Sequence, residues 1–208
     1  GGLAIVSIVA CSFFAAISGS AAATTAAVGA LLIPEMIKRG YEKDFSTAVQ
    51  AAGGTIGIMI PPSVPMILYG VVAGVSIGDL FIAGIIPGIF VAVSLMILVY
   101  IISIKRGYGG GERFSLKDFG KAFADAILAL LMPVIILGGI YGGIFTPTEA
   151  AAVAVVYGLI VGLIIYREIK WKDLSGIFTS SVITSAVILF IIAGASAFGY
   201  YLTRERVP

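Results

Sequence analysis

Three observations predict an all-α integral membrane protein built as a multi-span helical bundle. The 208 residues are 60% hydrophobic and only 12% charged, whereas a soluble domain is about half apolar and a quarter charged. Apolar runs able to cross a hydrocarbon core of about 30 Å recur between short polar loops. One such run, GGTIGIMIPPSVP at 53–65, is placed to span and yet is built to stop being helical halfway.

The composition also excludes several classes of function. There is no histidine, and Cys11 is the single cysteine, so a disulfide, a thiolate–imidazole pair or a His/Cys zinc site has no residues to build it. Cys11 lies in an apolar run and reads as a packing residue. A formal charge of +2 spread over short loops argues against nucleic-acid binding. The start at Gly1-Gly2, without a charged leader, and the end on Val207-Pro208 are expected of an internal piece of a longer protein.

Taken in order, 3–17 is an apolar run of roughly 22 Å as helix, too short for the core of a bilayer. Ser18-Gly19-Ser20 interrupts it, and 21–33 is a second short run ending at Pro34. Two short helices joined by a small polar tip describe a re-entrant hairpin over 1–34. The same residues also fit one long helix with a Ser/Gly kink. A polar loop follows at 35–45, and then the two halves of a broken span, 48–60 and 64–73, within a 46–73 segment. A loop at 74–79, which includes Asp79, precedes a span at 80–104 and a polar loop to 121. From 122 to 208 come a span at 122–145 with Pro133 inside, a span at 147–166, a loop at 167–173 with an interfacial Trp171, and a span at 181–202.

Charge in the loops orients this layout. If the hairpin returns to the side it enters from, the loops at 38–43, 105–121 and 167–172 share one side. They carry eleven of the thirteen Lys and Arg residues. That side is expected to be cytoplasmic, and the hairpin to open from it.

The break is where chemistry is expected. Pro61, Pro62 and Pro65 lack amide hydrogens, so the carbonyls of Gly57 and Ile58 lose their helical donors at membrane depth. Hydrocarbon tolerates this only where the break is buried in protein or lines a cavity. Broken helices of this kind mark the sites of secondary transporters. A proline kink with no ligand is the plain alternative. In the hairpin, the first half-helix would point carbonyls at the tip and the second would point amides. The broken span repeats this with carbonyls at 57–60 and amides after Ser63. The hydroxyls of Ser18, Ser20, Thr24, Thr55 and Ser63 are suitable oxygen ligands, though local backbone bonding is their ordinary role. A neutral oxygen cage suits a hard monovalent cation, because a divalent ion recruits carboxylates and neither break holds one.

Elsewhere, Thr146-Pro147-Thr148-Glu149 reads as a structural cap, with Thr146 at N-cap, Pro147 at N1 and Glu149 closing a capping box. Asp125 and Asp79 read as caps or interfacial charges. An enzyme has little support, since no residue is placed to activate Ser18 or Ser20.

Three stretches, ISGSAAATTAAVGALLIPEMIKRGY, AAGGTIGIMIPPSVPMILYGVVAGVSIGDLFIAGIIPG and GGIFTPTEAAAVAVVYGLI, resemble in order and spacing the large membrane subunit of TRAP (tripartite ATP-independent periplasmic) transporters, the DctM type. The resemblance covers essentially the whole chain. It implies an elevator-type fold of inverted repeats, with the second repeat, begun at 122–208, incomplete. It implies a sodium-driven importer of organic acids such as dicarboxylates in the inner membrane of a bacterium or archaeon. Its partners would be a small membrane subunit and a periplasmic substrate-binding protein; sodium is the coupling ion and no other cofactor is implied. By the same resemblance Ser18, Gly19, Ser20, Gly54, Thr55, Gly57, Ile58 and Ile60 would hold one sodium ion. Ser20, Thr24, Pro61, Pro62 and Ser63 would face the substrate. Ala21 and Ala22 depart from the residues common at that tip. A binding-protein-independent sodium/carboxylate symporter of similar architecture is the second reading, and a membrane scaffold without ligand the third.

Overall fold

A computed structural model describes residues 2–108 and 116–206. Among the described residues there are eight α-helices and no strand: α1 (Gly2–Ser18), α2 (Ala21–Lys38), α3 (Lys43–Gly54), α4 (Val64–Ala73), α5 (Ile77–Lys105), α6 (Leu116–Tyr141), α7 (Pro147–Leu159) and α8 (Leu174–Arg204). Five helices are long and apolar enough to cross a membrane by length and composition: α2, α5, α6, α8, and α7 with its π-helical continuation to Ile165. The multi-span all-α architecture expected from composition is what folds. Two compact units are present, Gly1–Gly158 and Leu159–Pro208.

In the first unit, α1 and α2 form an antiparallel hairpin rather than one kinked helix. Gly19 turns the chain with φ +61°, a conformation glycine adopts without steric cost. The Ser18 and Thr24 hydroxyls meet at 3.0 Å beside the turn, and Ser7 Oγ donates to Met36 Sδ at 3.4 Å near the open end. Pro34 does not end the second helix, as the sequence had suggested. It sits inside α2, which runs on to Lys38. The helix passes through it while packed on α3, where Gly29 faces Gln50 and Thr25 faces Gly54. α2 therefore has 18 residues, and length alone no longer sets it apart from a span.

α3 begins at Lys43, five residues before the expected start. Its buried residues, Phe45, Ser46, Val49, Gln50, Gly53 and Gly54, form one stripe at helical spacing. They face α1 and α2, and Gly53 admits Cys11 and Ile8. Cys11 is fully buried, as a packing residue should be. The first half of the broken span stops being α-helical at Gly54, not at Ile60; 55–58 is a 3₁₀ turn.

α5 starts earlier than expected because Ser76 caps it, its Oγ accepting from the Asp79 amide at 3.2 Å. Asp79 thus belongs to the first helical turn rather than to a loop. Ile60 packs on α5 at Gly88 and Met66 at Gly84. From Gly88 to Lys105 the helix rises roughly 25 Å, and from Ile77 to Gly88 roughly 16 Å. The break is thus set against the interior of α5, well away from either end.

At the end of the first unit where the 38–43 loop meets the end of α5, Tyr41, Phe45 and Tyr108 form an aromatic cluster with ring centroids 4.6–6.2 Å apart. Arg106 lies 5.6 Å over the Phe45 ring and pairs with Glu42. The Tyr108 hydroxyl and then the Glu42 carboxylate hold the Arg106 guanidinium above its ordinary value. This cluster brings the basic loop at 38–43 to the same end as Lys105 and Arg106, as the count of loop charges required.

Beyond α5, Tyr157 of α7 donates to the Leu128 carbonyl of α6 at 2.7 Å. α6 begins at Leu116, and Pro133 lies within it. In the second unit the π-helical turn 160–165 is closed by Ile169, whose amide reaches the Gly162 carbonyl at 3.2 Å. The 31 residues of α8 include none that is buried.

Tyr108→Ala is expected to lower the unfolding free energy of the full-length protein by about 3 kcal/mol, as for other buried aromatic truncations. Removing the exposed Glu42 charge (Glu42→Gln) should shift it little. Thermal unfolding in one detergent compares the two variants directly.

Candidate functional site

The hairpin tip is seated in the break. The Val64 amide, first of α4, donates to the Gly19 carbonyl at 3.1 Å. A Cβ on Gly19 would stand 2.6 Å from the Pro62 carbonyl oxygen, and one on Gly57 2.7 Å from both Ser20 O and Thr24 Oγ1. One on Gly54 would collide with the Thr25 hydroxyl. Glycine at these three positions lets backbone approach backbone. The structure thus unites Ser18, Gly19, Ser20, Thr24, Gly54, Gly57, Pro62 and Ser63, which the sequence assigns to two separate breaks.

The hydrogen bonds divide the candidate oxygens into engaged and open ones. Ser18 Oγ receives the Ser20 amide at 3.3 Å, and Thr24 Oγ1 donates to the Ser20 carbonyl at 2.8 Å. Ser20 Oγ caps α2 by accepting from the Ala23 amide at 3.3 Å. The Ile58 carbonyl, expected to be free, accepts from Ser63 Oγ at 2.7 Å. Ser63 is fully buried five residues on, and its hydroxyl substitutes for the donor that Pro62 lacks. The Gly57 carbonyl gains no such donor: the Ile60 amide turns to Ile56 at 3.0 Å, and Pro61 has none. At the end of α1 the Ser20 amide likewise turns to Ser18 Oγ, leaving the Ala16 carbonyl without its helical donor. Open carbonyls therefore remain on both sides of the tip. Each hydroxyl that donates also keeps acceptor lone pairs.

Other assigned residues lie differently. Thr55 is exposed and its hydroxyl returns to the Ala52 carbonyl at 2.6 Å. Ile60 presents its side chain and amide to Gly88. Thr24, Pro61 and Ser63 are fully buried. On α4 the Val64 amide is taken by Gly19, and Pro65 has none. Only the Met66 amide therefore remains open in its first turn. Among the described residues no group of three His, Cys, Asp or Glu could hold a metal ion. Thr146 and Glu149 form the expected cap: the Thr146 amide reaches Glu149 Oε2 at 2.8 Å, and the Glu149 amide reaches Thr146 Oγ1 at 3.3 Å.

Sequence reasoning missed the Val64–Gly19 bond, and it missed Gln50. That side chain is fully buried, accepts from Cys11 Sγ at 3.4 Å, and has no partner for Nε2. The glycine spacing at 53, 54 and 57 is the signal that could have located the tip's seat.

A helical hairpin is thus docked into a proline-broken helix, with neutral oxygens at the junction, in a chain with five helices long and apolar enough to cross a membrane. The whole chain, residues 1–208, matches the family described as "Tripartite ATP-independent periplasmic transporter, DctM component", and it belongs to that family of transporters. It is 50% identical over its full length to the isethionate TRAP transporter permease protein DctMQ of Oleidesulfovibrio alaskensis, of which it covers 33%. It is 43% identical to the C4-dicarboxylate TRAP transporter large permease protein DctM of Pseudomonas aeruginosa, covering 49%. It is 42% identical to the sialic acid TRAP transporter large permease protein SiaM of Vibrio cholerae, also covering 49%. The chain is fully covered in each case, and spans a third to a half of these relatives.

Gly19→Ala is expected to destabilise the full-length protein severely or prevent its assembly, since it adds a clash to a left-handed backbone. Gly40→Ala is the control. Gly40 also has positive φ, +83°, but an added Cβ there meets nothing within 4 Å, so only the backbone cost of roughly 1–2 kcal/mol should appear. Equal losses in detergent thermal-unfolding assays would disprove the docking geometry.

Proposed function

We propose that this chain is part of the large membrane subunit of a sodium-coupled importer of organic acids, which a periplasmic binding protein delivers. The observation that supports this reading is the docked tip, where the Ser20 carbonyl and the Thr24 hydroxyl close on Gly57, whose own carbonyl has no backbone donor. Neutral oxygens held by backbone and hydroxyls suit a hard monovalent ion, and no titratable side chain is present in the tip or the break to carry a proton instead. Ser18, Gly19, Ser20, Gly54, Gly57 and Ile58 belong to this cation site. Ser20 and Pro62, which are not fully buried, would face an organic anion in this reading, whereas Ser63 is spent on the Ile58 carbonyl. A small membrane subunit completes the assembly in a bacterial or archaeal inner membrane, and an elevator motion of inverted repeats is the mode of transport this reading implies.

Substrate choice does not reside in these residues. Relatives named for a C4-dicarboxylate and for sialic acid are about equally similar to this stretch. Its tip offers only backbone and hydroxyl groups, the parts of a site that treat different carboxylates alike.

Two measurements test the reading. Ser18→Ala or Thr24→Val in the full-length transporter should weaken sodium affinity roughly five- to 150-fold. That range corresponds to about 1–3 kcal/mol for a buried polar partner lost, and it is read as the sodium concentration for half-maximal uptake. Wild-type uptake that ignores sodium and follows a proton gradient would reject the assignment.

The hairpin is also proposed to be re-entrant, with both ends at the cytoplasmic side. α1, 17 residues and roughly 25 Å long, is as long as the stretch of α5 from Lys105 to Gly88, where the break packs. Cysteines placed at Gly2 and at Lys38, with Cys11 removed, should both label from the cytoplasm. Labelling from opposite sides would show that the hairpin crosses.

A further inference from the structure

Gln50 lies fully buried on α3, facing Gly29 of α2. Its Oε1 accepts from Cys11 Sγ at 3.4 Å, and its Nε2 has no partner. Among the described residues this is the one side-chain hydrogen bond that joins α1 to α3. The rest of the buried stripe on α1 is Ala4, Ser7, Ile8 and Ala15, and Ser7 donates to Leu3 and Met36 instead. Apolar packing has no direction, so small and aliphatic residues alone tolerate a slip of one helix along the other. A single buried polar group in such a seam fixes register at a cost in stability. The cost is visible here. A thiol is a weak donor, and a buried amide end left unpaired carries a desolvation penalty. An unbranched apolar side chain would fill the same space without that penalty.

What the pair controls is height along the two helices. α1 ends at Ser18, and α3 ends at Gly54 beside the 3₁₀ turn that carries Gly57. Ser18 lies seven residues beyond Cys11, and Gly57 lies seven residues beyond Gln50. Seven residues make about two helical turns and return to nearly the same face. The pair thus stands two turns before the junction on both elements. A slip of one residue would carry Ser18 past Gly57 by about 1.5 Å, whereas the distances in a metal site hold to about 0.2 Å. We propose that Gln50 is a positioning residue for the cation site: through Cys11 it sets the register of the hairpin against the broken helix. Gln50 touches no ion. It holds Ser18 and Gly19 at the height where the tip meets Gly57 and Val64. The proposal deepens the function proposed above and rests on it for the ion, though not for the register.

The test compares Gln50→Met, Gln50→Leu, Cys11→Ala and the Cys11→Ala/Gln50→Met double variant in the full-length transporter. Both Gln50 variants should unfold at or above the wild-type temperature, because an unpaired amide is removed. The sodium concentration for half-maximal uptake should nevertheless rise about tenfold, as when a group that orients metal ligands is lost. Cys11→Ala should raise it by a similar factor while unfolding earlier. The double variant should show no further rise, since both changes break one contact. Deuterium exchange at the Val64 amide reads the seat of the tip without ion or transport, and it should quicken in Gln50→Met. In a sodium-driven wild type, unchanged half-saturation in the Gln50 variants overturns the proposal. So do fully additive effects, or a sodium effect that only follows falling stability. Loss of folded protein in both Gln50 variants also overturns it, because the amide would then be holding the core. If wild-type uptake ignores sodium, the transport reading falls, and unchanged Val64 exchange is then the result that overturns this one.

Discussion

The bond from the Val64 amide to the Gly19 carbonyl is the contact around which the first unit is arranged. A chain that stops being helical inside a membrane must find partners for its backbone groups, because hydrocarbon supplies none. Here two interrupted elements supply part of each other's need. The hairpin gives a carbonyl to the first amide of α4, and the break gives the hairpin tip a protein surface to lie on. Close approach is the condition for this exchange, and Gly19, Gly54 and Gly57 provide it by leaving out a side chain where backbones meet. The seat of the tip is itself held on α5 through Gly84 and Gly88, so the same device recurs one layer further out.

Hydroxyl chemistry then decides which oxygens remain available. Ser63 takes up the Ile58 carbonyl, and Ser20 caps α2. Most polar groups at the junction are thereby satisfied, and the pattern leaves chosen exceptions: the Gly57 carbonyl and the last carbonyls of α1. A region with many orphaned groups would be unstable. One with none would have nothing to offer an ion. The arrangement lies between, with few open acceptors, all neutral, held by a rigid surround.

Much of this was legible in the residues. Pro61, Pro62 and Pro65 announced the break, Ser18-Gly19-Ser20 the turn, and the loop charges the shared end of the 38–43 and 105–106 segments. The Thr146–Glu149 cap was readable because its chemistry is local. What escaped was tertiary. Pro34 reads as a stop signal, and only the packing of α2 on α3 shows why the helix passes through it. The fate of the Ile58 carbonyl depended on which way a serine five residues on would turn. The aromatic cluster of Tyr41, Phe45 and Tyr108 joins residues more than sixty positions apart, and no pattern in a single stretch reveals that. Gln50 looked like an ordinary polar helix residue, and its burial follows from the small residues, Gly29 and Cys11, that surround it.

The same contacts bear on how such a site is exposed. Prying the tip out of its seat would strand the Gly19 carbonyl and the Val64 amide at membrane depth, at several kcal/mol for each unpaired group. The aromatic cluster ties the start of α3 to the end of α5, while Ile60 and Met66 tie the break to the middle of α5. Relative sliding within α1–α5 would have to break both ties at once. Moving α1–α5 as one body breaks neither, since every bond that satisfies the interrupted backbone lies inside that body.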